Sequence, residues 1–184
     1  MRVISGTLKG KRLESFSSPK IRPTSDRVKE SLFNILGSAL IEGAEVLDLF
    51  SGTGNLGIES LSRGAKLACF AENDRESLKT LRANLSSCGL TDKADIITLD
   101  VLKALQLLEK RGRSFDVIFL DPPYMKGLAG RTLEVLGESS IAGDALVVAE
   151  HAAKEEMQDC YGILNMMDRR PYGDTLISFY GRGK

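Results

Sequence analysis

The stretch that most limits what this chain can fold into is Val46-Leu47-Asp48-Leu49-Phe50-Ser51-Gly52-Thr53-Gly54-Asn55-Leu56-Gly57. An apolar run ends in a carboxylate, breaks at Gly52-Thr53-Gly54 and resumes with helical spacing. A strand that enters a glycine turn and opens a helix is the first unit of an open α/β sheet, with the backbone free to approach a ligand closely. A second stretch repeats the logic. Phe119-Leu120 is apolar, Asp121 is a carboxylate, and Pro122-Pro123-Tyr124 breaks the run. As parallel strands of one sheet, both would send their loops from its carboxyl edge, where such sheets bind ligands.

Around these stretches, strands alternate with helical periods. Strands are predicted over 45–49, 67–71, 95–99, 115–120 and 145–149. Helical spacing links Leu56 to Leu61 before Arg63-Gly64, and Leu78, Leu81 and Leu85 behind a cap at Asp74. It links Leu102, Leu105 and Leu108 before Gly112, and Leu133 with Leu136. Repeated βα units with right-handed crossovers give a doubly wound, Rossmann-like α/β sheet, mostly parallel. Residues 2–14 read as two short strands around Lys9-Gly10, a basic hairpin. A Ser/Pro-rich connection leads to a helix that Thr24 caps and Asp26 opens. Val28, Leu32, Ile35 and Leu36 share its apolar face and Gly37 ends it. Residues 162–167 and 175–179 read as a closing hairpin around 169–174, contributing one antiparallel strand. The expected division is a hairpin extension at 1–23 and a main domain at 24–184.

Composition narrows the function classes. A chain of 184 residues is long enough for one real core. No apolar run reaches membrane-spanning length, and the N-terminus lacks a secretory leader. Cys69, Cys88 and Cys160 are scattered and odd in number, the pattern of free thiols in a reducing cytoplasm. No spaced Cys/His pairs exist to hold zinc, so no metal is expected. His151 is the single histidine, and no serine lies in a nucleophile elbow. The net charge of zero hides an asymmetry. Residues 1–31 carry eight cations against three carboxylates, an excess of five. A basic segment on an acidic body suits a polyanion, although a solvated arm has the same composition.

Gly52, Gly54 and Gly57 keep the G-x-G-x-x-G spacing, which also serves dinucleotides. Asp48 separates the readings. A carboxylate at that strand end would repel a pyrophosphate but attract the ammonium and sulfonium of S-adenosylmethionine, a difference of about 1–4 kcal/mol between near neighbours. Glu72 follows the turn by about 20 residues, where a carboxylate accepts ribose hydroxyls. Asp100 could accept an adenine amino hydrogen, cap the next helix, or do both. Pro122 and Pro123 stiffen the second loop and remove two amide donors. Asp121 and the Pro122 carbonyl can then accept both hydrogens of an exocyclic amine, and Tyr124 offers a face for a stacked base. A Pro-Pro loop with a buried tyrosine is the bland alternative. Three features at one sheet edge favour the site. Glu150-His151 reads as a strand-end polar pair, and Arg169-Arg170 as a turn within reach of phosphate or solvent.

Together these residues resemble a known family. Arg22-Pro23-Thr24-Ser25-Asp26-Arg27, Leu47-Asp48-Leu49-Phe50-Ser51-Gly52-Thr53-Gly54, Leu61-Ser62-Arg63-Gly64-Ala65 and Leu120-Asp121-Pro122-Pro123-Tyr124 are similar to motifs of the RsmD family, bacterial 16S rRNA guanine-N2 methyltransferases. The resemblance implies a class I S-adenosylmethionine-dependent methyltransferase fold. It implies cofactor contacts from Asp48, Phe50, Ser51, Gly52, Thr53, Gly54, Glu72, Asn73, Asp100, Val101 and Asp121. It implies catalysis at Asp121, Pro122 and Tyr124, and rRNA contact by Lys9, Lys11, Arg12, Arg22, Thr24, Arg27 and Lys29. The implied substrate is a guanine of the small ribosomal subunit, guanine 966 in the family, acted on by a cytoplasmic monomer with no membrane partner. Lys29 stands where arginine is common, and Asn55 and Ser60 where alanine is common. The proline motif also occurs in adenine-N6 methyltransferases of RNA or DNA. A non-catalytic rRNA-binding assembly factor on the same fold is the alternative from another class. Asp121 disfavours a protein-glutamine methyltransferase, which has asparagine there.

Overall fold

The computed structural model describes residues 1–15, 26–123 and 127–183. In chain order these form α1 (Asp26–Ile41), β1 (Glu45–Leu49), α2 (Asn55–Ser62), β2 (Leu67–Ala71), α3 (Arg75–Ser87), β3 (Ala94–Ile97) and α4 (Val101–Lys110). There follow β4 (Val117–Leu120), α5 (Leu128–Gly137), β5 (Leu146–Ala152), β6 (Cys160–Tyr161), β7 (Leu164–Tyr172) and β8 (Thr175–Arg182). The strands make one sheet of order β3-β2-β1-β4-β5-β8-β7-β6. The first five are parallel, and β8, β7 and β6 join antiparallel.

Strict side-chain alternation splits the core into two layers. Val46, Phe70, Phe119 and Val148 face α1, α2 and α3, while Leu47, Cys69, Ile118 and Val147 face α4 and α5. Because both faces are covered, these strands read as continuous apolar runs. This is the Rossmann-like class I arrangement expected from the βα alternation.

Several local expectations change. Gly37 does not end α1: its φ of 72° and ψ of 164° kink the helix, which continues to a buried Ile41. The buried face carries Leu32, Phe33 and Leu36, while Ile35 points outward at 44% exposure. The N-terminal hairpin reduces to one antiparallel bridge, Arg2 with Arg12. Three amides still bond across it, Val3 to the Lys11 carbonyl and Gly10 to the Val3 carbonyl at 2.9 Å and Leu13 to the Met1 carbonyl at 3.1 Å, and other donors turn to the body. The amides of Ile4 and Ser5 donate to Glu59 at 2.8 and 3.0 Å, and those of Thr7 and Leu8 donate to the carbonyl and hydroxyl of Ser62 at 2.8 and 3.0 Å. Val3 and Leu13 are buried in the same core as α1 and α2, so the segment packs on the body. At the other end, β7 runs through Tyr172, leaving only Gly173 and Asp174 in the turn. Arg169 and Arg170 are therefore strand residues, and three antiparallel strands close the sheet instead of one.

Candidate active site

Strand order reverses between β1 and β4, with β2 and β3 to one side and β5 to the other. This is the switch point at which open sheets form a crevice. Leu49 is in register with both Ala71 and Leu120, and Ala71 with Ile97. The loops carrying Phe50–Gly54, Glu72–Asp74, Asp100 and Asp121 therefore leave the sheet side by side.

The glycine turn is held by its neighbours. Phe50 has φ 58°, the sole positive φ outside glycine among the described residues. Such backbone costs of order 1–3 kcal/mol and persists where surroundings enforce it. Here the Ser51 amide donates to the Ala71 carbonyl at 3.2 Å, and the Gly54 amide to the Ser51 carbonyl at 2.7 Å. A Cβ on Gly52 would meet only the Phe50 carbonyl oxygen at 4.0 Å, so space for a ligand lies above the turn. Gly57 is different. A Cβ there would collide with the Phe70 ring and stand 3.1 Å from Asp48 Oδ2.

Asp48 is buried, and its Oδ2 accepts the Gly57 amide at 2.8 Å. Burial pushes its carboxyl up to about 7; the Gly57 hydrogen bond opposes this and the nearby Glu72 charge adds to it. Glu72 is partly buried. It accepts from the backbone amides of Gly52 at 2.8 Å, Asn73 at 2.8 Å and Asp74 at 2.7 Å. These bonds fix the carboxylate beside the turn, and its roughly four lone-pair sites allow a further hydroxyl donor. Asn73 is exposed. Asp74 caps α3, as the sequence predicts, through the Ser77 amide at 2.8 Å, which holds its carboxyl below the usual range. Asp100 caps α4 through the Lys103 amide at 3.2 Å and pairs with Lys103 Nζ at 3.1 Å, and Val101 is buried behind it. Of its two sequence-level roles, the cap is thus present.

Asp121 is partly buried at the end of β4, with Pro122 buried and Pro123 exposed. Tyr124 lies outside the described residues, as do Arg22 and Thr24. Lys9, Lys11, Arg12 and Arg27 are exposed. Lys9 and Arg27 help line an open cleft of about 310 Å³, with Arg2, Val3, Ile4, Gly10, Asp26 and Glu30.

Lys29 corrects an expectation. Read as an RNA contact, it is wholly buried and cannot reach one. Its Nζ pairs with Glu59 at 3.1 Å and donates to the Arg2 carbonyl and Asn55 Oδ1, both at 2.7 Å. Burial lowers its pKa, and Glu59 counteracts that. Arg63 adds a second cation to Glu59 at 2.8 Å while stacking over Phe33. The helical period could have found this pair, since Lys29 lies one turn before Leu32 and Phe33. His151 is likewise structural. Its Nδ1 donates to the Ala152 carbonyl at 3.1 Å, which leaves Nε2 to accept from the Ser178 hydroxyl at 2.9 Å. Sequence reasoning missed Asn84 altogether. It is a buried amide between Leu81 and Leu85 on the inner face of α3, and a polar residue on an apolar stripe was the available signal.

Known proteins match this arrangement. A family profile described as conserved hypothetical protein 95 covers residues 1–181. The Bacillus subtilis protein YlbH is 39% identical over 181 residues, 98% of each chain. Ribosomal RNA small subunit methyltransferase D of Escherichia coli K12 is 37% identical over 151 residues, 82% of this chain and 74% of that one. The solved structure of the Escherichia coli protein yhhF superposes with a TM-score of 0.84 at 31% identity, covering 99% of this chain and 97% of that one. The chain belongs to the RsmD-like family of bacterial rRNA methyltransferases and is an S-adenosylmethionine-dependent methyltransferase of the class I fold.

Proposed function

We propose that this enzyme methylates the exocyclic N2 of a guanine in 16S rRNA of the small ribosomal subunit, the guanine at position 966 in the family. The observation that carries the reading is the shared register of β2, β1 and β4. It sets the carboxylate-flanked glycine turn next to the Asp121-Pro122 loop. The 37% identity to small subunit methyltransferase D supports the choice of rRNA.

S-adenosylmethionine supplies an electrophilic methyl on a sulfonium. The buried Asp48 carboxyl fits a cation, because a positive neighbour relieves the cost of ionising it. Phe50, Ser51, Gly52, Thr53 and Gly54 form the cradle, Glu72 and Asn73 take the ribose, and Asp100 and Val101 border the adenine. Asp121 and the Pro122 carbonyl accept the two amine hydrogens and aim the nitrogen lone pair, with the guanine stacked on Tyr124. Alignment and solvation of moving charge are the main tasks here. Asp121 would take the proton that the amine nitrogen sheds on gaining the methyl, and the cofactor would leave as a neutral thioether. Lys9, Lys11, Arg12 and Arg27 contact rRNA phosphates, with Arg22 and Thr24, so residues 1–23 act as the RNA-contacting extension. A guanine inside a helix must unstack to reach the sheet edge. The enzyme acts as a cytoplasmic monomer, a setting that suits its three free cysteines.

The test is methyl transfer from labelled cofactor to small subunits, and to naked 16S rRNA, from a strain lacking the homologue. N2-methylguanosine in the digest supports the reading. N6-methyladenosine would keep the chemistry and overturn the base. Asp121→Ala should abolish transfer and leave cofactor affinity within about threefold. Wild-type turnover in that variant would remove Asp121 from catalysis.

A further inference from the structure

The N-terminal segment and the glycine turn are far apart in sequence, yet two buried side chains tie them together. Asn84 on α3 pairs with Glu14 like a neighbouring strand. Its Oδ1 accepts the Glu14 amide at 2.7 Å and its Nδ2 donates to the Glu14 carbonyl at 3.1 Å. The same Nδ2 donates to the Thr53 carbonyl at 3.0 Å, in the turn itself. Lys29 on α1 forms the second tie. One ammonium bridges the Arg2 carbonyl and Asn55 Oδ1, one residue past the turn. Asn84 is 1% exposed and Lys29 is fully buried. Thr53 and Met1 also touch, Oγ1 to Sδ at 3.9 Å. Both ends of segment 1–14 are thus fastened to residues 53–55 through side chains on two other helices.

We infer that Asn84 and Lys29 are positioning residues that couple cofactor occupancy of the glycine turn to the order of the N-terminal segment, and so to its grip on RNA. This rests on the proposed roles of turn and segment. The physical route is short. The turn has positive φ at Gly52 and Gly54 and open space above it, so a ligand lying there restricts it. A restricted Thr53 carbonyl and Asn55 side chain hold Asn84 and Lys29 in place. Their other bonds then hold Glu14 and Arg2. Ordering paid once, by the first ligand, is not paid again by the second, and such coupling is reciprocal. Cofactor and rRNA therefore each strengthen the binding of the other.

The experiment is amide hydrogen exchange of the full chain, with and without saturating S-adenosylhomocysteine, followed on peptides covering residues 1–14. The expected result is roughly fivefold or greater slowing in the wild type, the lower end of ordinary coupling. In Asn84→Ala the slowing should fall below about twofold. The affinity of a 16S rRNA fragment should rise by a similar factor when the product cofactor is added, again only in the wild type. Unchanged exchange in the wild type overturns the inference, whatever Asn84→Ala does. Undiminished slowing in Asn84→Ala overturns the assignment to Asn84. Slowing without any RNA affinity would instead remove the rRNA reading and leave the coupling standing.

Discussion

Replacing Asp48 by asparagine should make the protein more stable at alkaline pH while weakening its cofactor site. Burial moves the Asp48 carboxyl from 3.8 to about 7, which corresponds to about 4 kcal/mol between its two protonation states. Between those pH values the native state holds a proton that the unfolded chain has released. Stability therefore falls as pH rises through this window, and the loss is complete above about pH 7. Asparagine does not titrate. Its Oδ1 can still accept the Gly57 amide, while its extra donors cost about 1–3 kcal/mol at every pH. The stability difference between Asp48→Asn and wild type should shift by about 4 kcal/mol from pH 4 to pH 8, in favour of the variant. Urea unfolding at pH 4, 6 and 8.5 measures it. Parallel stability profiles for the two proteins would refute the argument, since everything else that titrates is common to both. A bound sulfonium and ammonium should favour ionised Asp48. Wild-type cofactor affinity should then climb by up to about tenfold per pH unit towards pH 7, and calorimetry on the variant should show that dependence flattened.

Other substitutions probe separate parts of the structure. Lys29→Met removes one of two cations from buried Glu59, which keeps Arg63 and the Ile4 and Ser5 amides, and should cost about 3–5 kcal/mol in urea unfolding; a loss below about 1 kcal/mol would show that the pair is not the organising contact. Gly57→Ala drives a methyl into Phe70 and towards Asp48, so destabilisation of about 1–3 kcal/mol is expected by thermal unfolding. An unchanged melting temperature would mean that the ring moves freely. Reversing the charges of Lys9, Lys11 and Arg12 should lower the slope of log affinity for rRNA against log salt by about 2–3, as three phosphate contacts require. An identical slope would take these residues out of the RNA interface.

The fold was legible because its signals are local and repeated. The inner strands of the parallel half are largely apolar runs between helical periods, and β1 and β2 fall where the sequence places them. The cap at Asp74 was equally plain, since an aspartate before a helical period has one economical use. The antiparallel end was less so. The charged pair Arg169-Arg170 read as part of a turn, although an edge strand tolerates it because its sides meet water. The site was legible as far as motifs reach: Asp48, the glycine turn, Glu72 and Asp121 lie at one sheet edge. Lys29 was misread because composition cannot separate a cation aimed at solvent from one aimed at a carboxylate. The helical period, which sets Lys29 one turn before Leu32 and Phe33, carries the missing information, and packing at Phe33 and Leu36 turns that face towards α2. Asn84 stood out only as a polar residue on an apolar stripe, and its role was not legible because its partners are backbone groups without side-chain identity.

The closing strands have a bearing on how the molecule meets copies of itself. Strand β6 covers only Leu164 and Asn165 of the nine-residue β7. Along the rest of that outer strand, the ladder shifts register between Met166 and Asp168, and Met167 is thrown out to 68% exposure. Exposed Arg169 and Arg170 follow, then Pro171, which has no amide to offer. A second chain adding a strand here would meet a broken repeat, crowd two guanidiniums and lose one hydrogen bond. These are the devices by which sheets guard an open side against polymerisation. The end of the sheet farthest from the glycine turn is thus built as a terminus, and straightening it by deleting Met167 would invite fibres.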